Sequence, residues 1–170
     1  MRRRIIAALA GFMVALTCGW PARADEVRYP PSGDFQFVVN AAPGWTSSSD
    51  DNGLKLSPPE AFGVVLLSVK RDLTFPMRTV PEMAKAMGEA AGIGSFDKQE
   101  PVKAAGRDAQ AFYGHLTNAN GLTLDVKIVF FSLEQTMWAT ETVMTRQGLQ
   151  DYEQRSLDQT LSGVSLVKGK

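Results

Sequence analysis

Alternating and helically spaced apolar positions divide the chain after residue 33 into strands and two helices. Phe35, Phe37 and Val39 alternate with Asp34, Gln36 and Val38, which predicts a first strand over residues 34–41. Pro43-Gly44 ends it and sets Trp45 just past a turn, and Asp50-Asp51-Asn52-Gly53 is a second turn signal. Leu54 and Leu56 begin a short second strand that Pro58-Pro59 stops, and the dense apolar run from Phe62 to Arg71 predicts a central strand covered on both faces. Helical spacing then takes over. Thr79 is placed to cap a helix, with Pro81 in its first turn and Glu82 three residues on, as in a capping box. Val80, Met83, Ala84, Met87 and Ala91 fall on one face, and Gly92 and Gly94 close the helix. The methionine stripe is expected to pack on the sheet rather than line a ligand groove.

After Pro101 three hairpins are expected, turning at Gly106-Arg107, Asn120-Gly121 and Glu134-Gln135. Leu122, Leu124, Val126, Ile128 and Phe130 alternate with Thr123, Asp125 and Lys127, so one face of that strand is buried. Residues 149–163 place Tyr152, Leu157, Leu161 and Val164 where a terminal helix docks. The order is two strands, a third strand, a helix, four meandering strands and a closing helix. It predicts an α+β fold, an antiparallel β-sheet with helices packed on it. Residues 25–33, with Pro30, Pro31 and Gly33, are expected to be an extended lead-in, and residues 34–166 a single domain.

The first 24 residues are of a different kind. Arg2, Arg3 and Arg4 precede an apolar run from Ile5 to Leu16, and Ala22-Arg23-Ala24 stands just before Asp25. These are the three parts of a cleavable signal peptide, with cleavage expected after Ala24. The run is too short for a stable transmembrane helix, which needs roughly 20 apolar residues. Lipid attachment at Cys18 is the minor alternative, opposed by Thr17 where Gly or Ala is usual. The mature protein is therefore expected to be periplasmic or secreted. Cys18 is the single cysteine, so the mature chain has neither disulfide nor thiol chemistry. Removing Arg2, Arg3, Arg4 and Arg23 from eighteen basic side chains leaves fourteen against eighteen acidic ones, a net of −4. Such a balance argues against nucleic acid as a partner.

The aromatic strand Phe35-Gln36-Phe37 leading to Pro43-Gly44-Trp45, the helix opening at Thr79, the glycine-turned strand Gly106 to Phe112, the long meander and the ending Leu161-Ser162-Gly163-Val164 together resemble the PsbP-like superfamily. That superfamily includes exported bacterial proteins of the DcrB type. The resemblance spans nearly all of the mature chain. It implies an α/β/α sandwich and a role in binding or assembly, since relatives of this fold serve as an extrinsic photosystem subunit and a nuclear-transport factor. It transfers no functional residue, because the matching positions are structural.

Candidate chemistry is sparse. His115 is the single histidine. A two-residue turn at Asn120-Gly121 sets His115 opposite Val126 on the apolar side, whereas a three-residue loop sets it opposite Asp125, a plausible base and orienter. The turn chemistry favours the first. No Gly-x-Ser-x-Gly elbow supplies a nucleophile. The loop Asp50-Asp51-Asn52-Gly53 lacks the spaced ligands and closing glutamate of a calcium site. Gly88 and Gly92-Ile93-Gly94 end a helix rather than cradle phosphate. Trp45 and Trp138 are expected in the core, with a cleft or interface as the alternative. No catalytic, metal or cofactor-binding residue is assigned, and no cofactor is expected. The sequence is read as an exported, non-catalytic binding or assembly module of the cell envelope, with an envelope protein as partner and an exposed apolar or aromatic patch. The alternatives are a small-ligand carrier with a sheet–helix cleft and a hydrolase using His115.

Overall fold

The computed structural model describes residues 26–72, 79–117, 120–134 and 136–169. The signal peptide, its cleavage point after Ala24 and Cys18 lie outside the described residues. The elements are β1 (Val27–Tyr29), β2 (Phe35–Val39), β3 (Thr46–Ser49), β4 (Leu54–Ser57), β5 (Gly63–Arg71), α1 (Val80–Ala91), β6 (Phe96–Ala104), β7 (Arg107–Thr117), β8 (Thr123–Glu134), β9 (Met137–Arg146), α2 (Asp151–Ser162) and β10 (Val164–Lys168). Seven strands form one antiparallel sheet in the order β3-β4-β5-β9-β8-β7-β6, and three form a second in the order β1-β2-β10.

Strand alternation sends side chains to two separate cores. From β8, Val126, Ile128 and Phe130 join Met83, Ala84, Ile93 and Phe112 under α1. Val129 and Phe131 point the other way, into a larger core with Phe35, Phe37 and Val39 of β2, Leu157 of α2 and Leu166 of β10. The large sheet thus lies between α1 on one face and, on the other, the small sheet with α2 beside it. The antiparallel sheet with packed helices is as the pattern predicts. The second outer layer differs from a plain α/β/α sandwich in being part strand.

Several local expectations are corrected. The lead-in holds β1, too short and too close to Pro30 to show a period. β3 is Thr-Ser-Ser-Ser, with no apolar residue to announce it. β10 starts one residue after α2, where the chain reads as the end of a helix; it can do so because Gly163 lets the Asn40 carbonyl come close enough to exclude a Cβ. Val164 consequently packs from a strand, and Tyr152 on α2 is exposed. All five residues of β2 are buried rather than alternate ones, because β1 and β10 flank it and Gln36 donates Nε2 to the Pro30 carbonyl at 2.8 Å. The β6–β7 turn is Ala105-Gly106, one residue earlier than expected, with φ of 47° and 75°. Both values belong to the left-handed region that a tight hairpin turn requires. The β8–β9 turn is also displaced, since Glu134 pairs with Met137.

The α1 cap is as expected: Thr79 Oγ1 accepts from the Glu82 amide at 3.4 Å, and the Thr79 amide donates to Glu82 Oε2 at 2.7 Å. Gly92 closes the helix with φ of 82°. Ala91, however, faces solvent. At the start of α2, Glu153 is 2 % exposed; it accepts the Gln150 amide at 2.7 Å and both Arg146 Nη2 contacts, at 2.6 and 2.8 Å. The backbone hydrogen bond first, and then the guanidinium, holds its carboxyl below the usual range.

Phe37 is fully buried and meets Phe131 edge to face at 6.0 Å, which joins the small sheet to the large one. Phe37→Ala is expected to cost about 3–5 kcal/mol in urea unfolding, as for other buried aromatic truncations.

Candidate functional site

Cross-strand partners share a face, so the register tells which side chains form each patch of surface. Ser48 pairs with Lys55, Lys55 with Leu66, and Leu66 with Thr142. The neighbouring rows pair Ser68 with Thr140 and Lys70 with Trp138. These positions lie on the α1 face of the large sheet, but α1 packs on β7 and β8 and stops short of them. What remains is an open cleft of about 590 Å³, floored by Leu66, Ser68, Thr140 and Thr142, walled by Met87 and Trp138, and rimmed by Ser48, Asp50, Lys55 and Lys70.

The cleft explains the exposure pattern of β5. Val65 and Leu67 are buried, whereas Val64, Leu66, Ser68 and Lys70 are half exposed. The expectation that this strand is covered on both faces is corrected: one face is half exposed, and no described helix lies over it. Met83 packs on the sheet as expected, but Met87 is half exposed and lines the cleft, so the methionine face is divided between the two roles. Trp138 has the alternative role weighed for it. It packs on Phe130 at 5.7 Å, lines the cleft, and carries a buried Nε1–H without an acceptor. Trp45 packs against the large core, meets Phe62 at 6.0 Å and donates Nε1 to Ser156 Oγ at 2.9 Å.

Most polar groups around the cleft are hydroxyls or cations. Ser68 and Thr140 hydroxyls bond each other at 2.9 Å across β5 and β9. Lys70 Nζ donates to the Asp51 carbonyl at 3.1 Å. The rim carboxylate, Asp50, uses Oδ1 to accept the Asn52 and Gly53 amides at 2.7 and 3.1 Å. That self-contained turn is the structural role expected for residues 50–53. Among the described residues no group of three or more His, Cys, Asp or Glu is arranged to hold a metal. No helix among them is long and apolar enough to cross a membrane.

His115 lies elsewhere. It pairs with Asp125, not Val126, so the favoured register is corrected by one residue. The core decides this: the observed register puts Phe112 beside Ile128 on the α1 face, and a slip would place Phe112 and Ile128 on opposite faces. Nδ1 stands 2.9 Å from Asp125 Oδ1 and Nε2 3.4 Å from Asp97 Oδ2, on a side chain 53 % exposed. The ring's contacts among the described residues are with two acids, and His115 lines neither the cleft above nor the smaller one beside Glu141.

A third feature is Glu141 on the opposite face of β9. It is 3 % exposed and lines a smaller cleft of about 350 Å³ with Lys127, the β6–β7 turn and the end of α2. Burial pushes its carboxyl up to about 7, with Lys127 pulling weakly the other way.

No family model matches the chain, and no curated protein matches it. Similarity is found among solved structures. LpqN of Mycobacterium tuberculosis, involved in cell envelope biogenesis, aligns with a TM-score of 0.54 at 12 % identity, over 84 % of this chain and 90 % of that one. A cyanobacterial PsbP from Synechocystis aligns with a TM-score of 0.51 at 14 % identity, over 89 % and 98 %. The fold is PsbP-like. The yeast Ran-binding protein Mog1p shares it, with a TM-score of 0.50 at 11 % identity, over 82 % and 93 %. A Bacteroides thetaiotaomicron structure aligns with a TM-score of 0.53 at 12 % identity, and there this chain spans 45 % of the longer protein. At these identities the likeness concerns the fold alone.

Sequence reasoning did not select the lysines and hydroxyls of the cleft. The available signal was in β9, where Trp138, Thr140, Thr142 and Met144 alternate with Ala139, Glu141 and Val143: one face is half polar although the strand is central.

The Glu141 carboxyl also gives a pH signature. Its folded value of about 7 exceeds the ordinary 4.5, so the folded chain retains a proton that the unfolded chain releases between those values. The contribution is intact below about pH 4.5 and is lost as pH rises through about 7. In urea unfolding at pH 4 and pH 8, Glu141→Gln is expected to reduce the loss of stability between the two by about 3 kcal/mol.

Proposed function

We propose that this chain is an exported, non-catalytic binding module serving assembly or maintenance of the cell envelope, with the open cleft on the large sheet as its binding face. The observation that carries this is the half of the α1 face that α1 leaves bare: a concave surface with Leu66 among hydroxyls at its floor, Met87 and Trp138 at its wall and ammonium groups at its rim. Its chemistry suits holding: among the described residues the carboxylate of the cleft, Asp50, is bonded to two backbone amides, and Ser68 and Thr140 are bonded to each other. Export is proposed from the signal-peptide pattern of residues 1–24. LpqN's part in envelope biogenesis and Mog1p's binding of Ran accord with such a role as analogies of fold. Within that fold we place the chain with DcrB-type exported proteins, on the residues 35–45 and 161–164 quoted above.

An envelope protein is the partner first proposed, yet the patch foreseen for it takes another form. The large exposed hydrophobics among the described residues are Leu122 and Tyr152; neither lines the cleft, and the Tyr152 hydroxyl is bonded to Glu60 at 2.5 Å. A small-ligand cargo is the second reading, favoured by a cleft volume within the roughly 300–1,000 Å³ of small-molecule sites.

A photo-crosslinking residue at Ser48, at the cleft rim, tests the proposal in intact cells of the source organism. The expected result is a discrete adduct in the envelope or periplasmic fraction that is lost in Met87→Glu and retained in His115→Ala. Recovery of the protein in the cytoplasm, or an adduct that survives Met87→Glu, would overturn it.

A further inference from the structure

The lining of the cleft carries two ammonium groups against one carboxylate. Lys55 is exposed on β4 and Lys70 half exposed on β5, and neither forms an ion pair with a described residue. Asp50, the carboxylate on the rim, is engaged by two backbone amides. Directly across β5 and β9 from Lys70 stands Trp138, whose ring walls the cleft. Below the two ammonium groups, Leu66 and Met87 offer hydrocarbon contact without a charge among them. The cleft therefore suits an acceptor carrying negative charge at its rim and an apolar body against Leu66 and Met87.

We propose that the cleft holds one amphiphile molecule: a hydrocarbon chain over Leu66 and Met87, with an acidic headgroup, carboxylate or phosphate, held by Lys55 and Lys70. This rests on the cleft being the binding face and names what occupies it. The occupant is a single free molecule rather than a bilayer surface, because the apolar groups are recessed in a concavity. The two large exposed hydrophobics, Leu122 and Tyr152, lie outside it. A bilayer is engaged by side chains that protrude.

The test titrates the purified protein with dodecanoate, dodecyl phosphate, dodecanol and dodecyltrimethylammonium, each below its micelle concentration, following Trp138 fluorescence with Trp45→Phe as background. Vesicles of phosphatidylglycerol are used for co-sedimentation. Saturable one-to-one binding of the anions is expected, with dodecanol about tenfold weaker, the cation unbound and the vesicles not retaining the protein. The ratio of dodecanoate to dodecyl phosphate affinity tells which acid the rim prefers. In Lys55→Glu/Lys70→Glu, neither of them a buried position, anion affinity should fall about tenfold or more while dodecanol is unchanged. Equal binding of the cation, indifference to the charge reversal, or retention by vesicles without binding of the monomers would overturn the proposal. No amphiphile binding, together with a crosslink at Ser48 that Met87→Glu abolishes, would sink this inference and leave the cleft as a binding face. Failure of both would remove the two together.

Discussion

The structure depends on the antiparallel register of β8 with its neighbours β7 and β9. With Val129 opposite Glu141 and Phe130 opposite Thr140, alternate residues of β8 supply two cores that share no side chain. The period of a strand is two, so a slip of one residue on either side would turn Ile128 and Phe130 away from α1 and bring Val129 and Phe131 out of the large core. No turn residue has comparable weight. At the β7–β8 connection the Asn120-Gly121 signal favours one register and the stacking of Phe112 on Ile128 favours another, and the stacking prevails. The position of His115, exposed between two carboxylates, follows from that contest and from no requirement of its own chemistry.

From this central frame the two faces are finished differently. The large core is closed by Phe37 and its neighbours on β2, by β10, and by α2, whose first turn is fixed to the end of β9 through Arg146 and Glu153. Its closure is tight enough to strand the Glu141 carboxyl between β9 and the end of α2, where water no longer stabilises the charge. The α1 face is closed over half its width only. Twelve residues of α1 cover roughly 18 Å of helix axis, and the helix packs chiefly on β7 and β8, with Gly88 against Phe96 of β6.

The elements whose apolar residues repeat at a fixed period were legible in the sequence: α1 with its capping box, the meander from β6 to β9, and α2. What could not be read depends on partners distant in the chain. β3 has no hydrophobic residue and exists because β4 gives it a ladder. β10 needs β2, more than a hundred residues earlier, and a close approach of backbone at Gly163. The site was legible only in fragments. Met87 and Trp138 each drew notice as possible groove residues, but an apolar side chain at the correct period is assigned to the core by default, and whether a helix covers it is a matter of tertiary placement. Lys55 and Lys70 look like ordinary surface lysines until the register sets them around one concavity.

The bare half of the sheet raises the question of why a protein should leave central strands uncovered. An apolar floor exposed to water would forgo about 25 cal/mol for each Å² left unburied and would invite aggregation. The composition of this floor lessens both effects. Ser68 and Thr140 satisfy each other, and Leu66 is the large aliphatic side chain among the four floor positions. A water-filled cleft is therefore tolerable here, whereas the same opening over Ile128 or Phe130 would not be. That distribution, hydroxyl under the opening and aromatic under the helix, is what allows one continuous sheet to carry both a core and an open cleft. It also separates stability from the proposed binding: the residues that fix the register lie under α1 and β2, whereas Leu66, Ser68, Lys55 and Lys70 of the cleft lie beside α1.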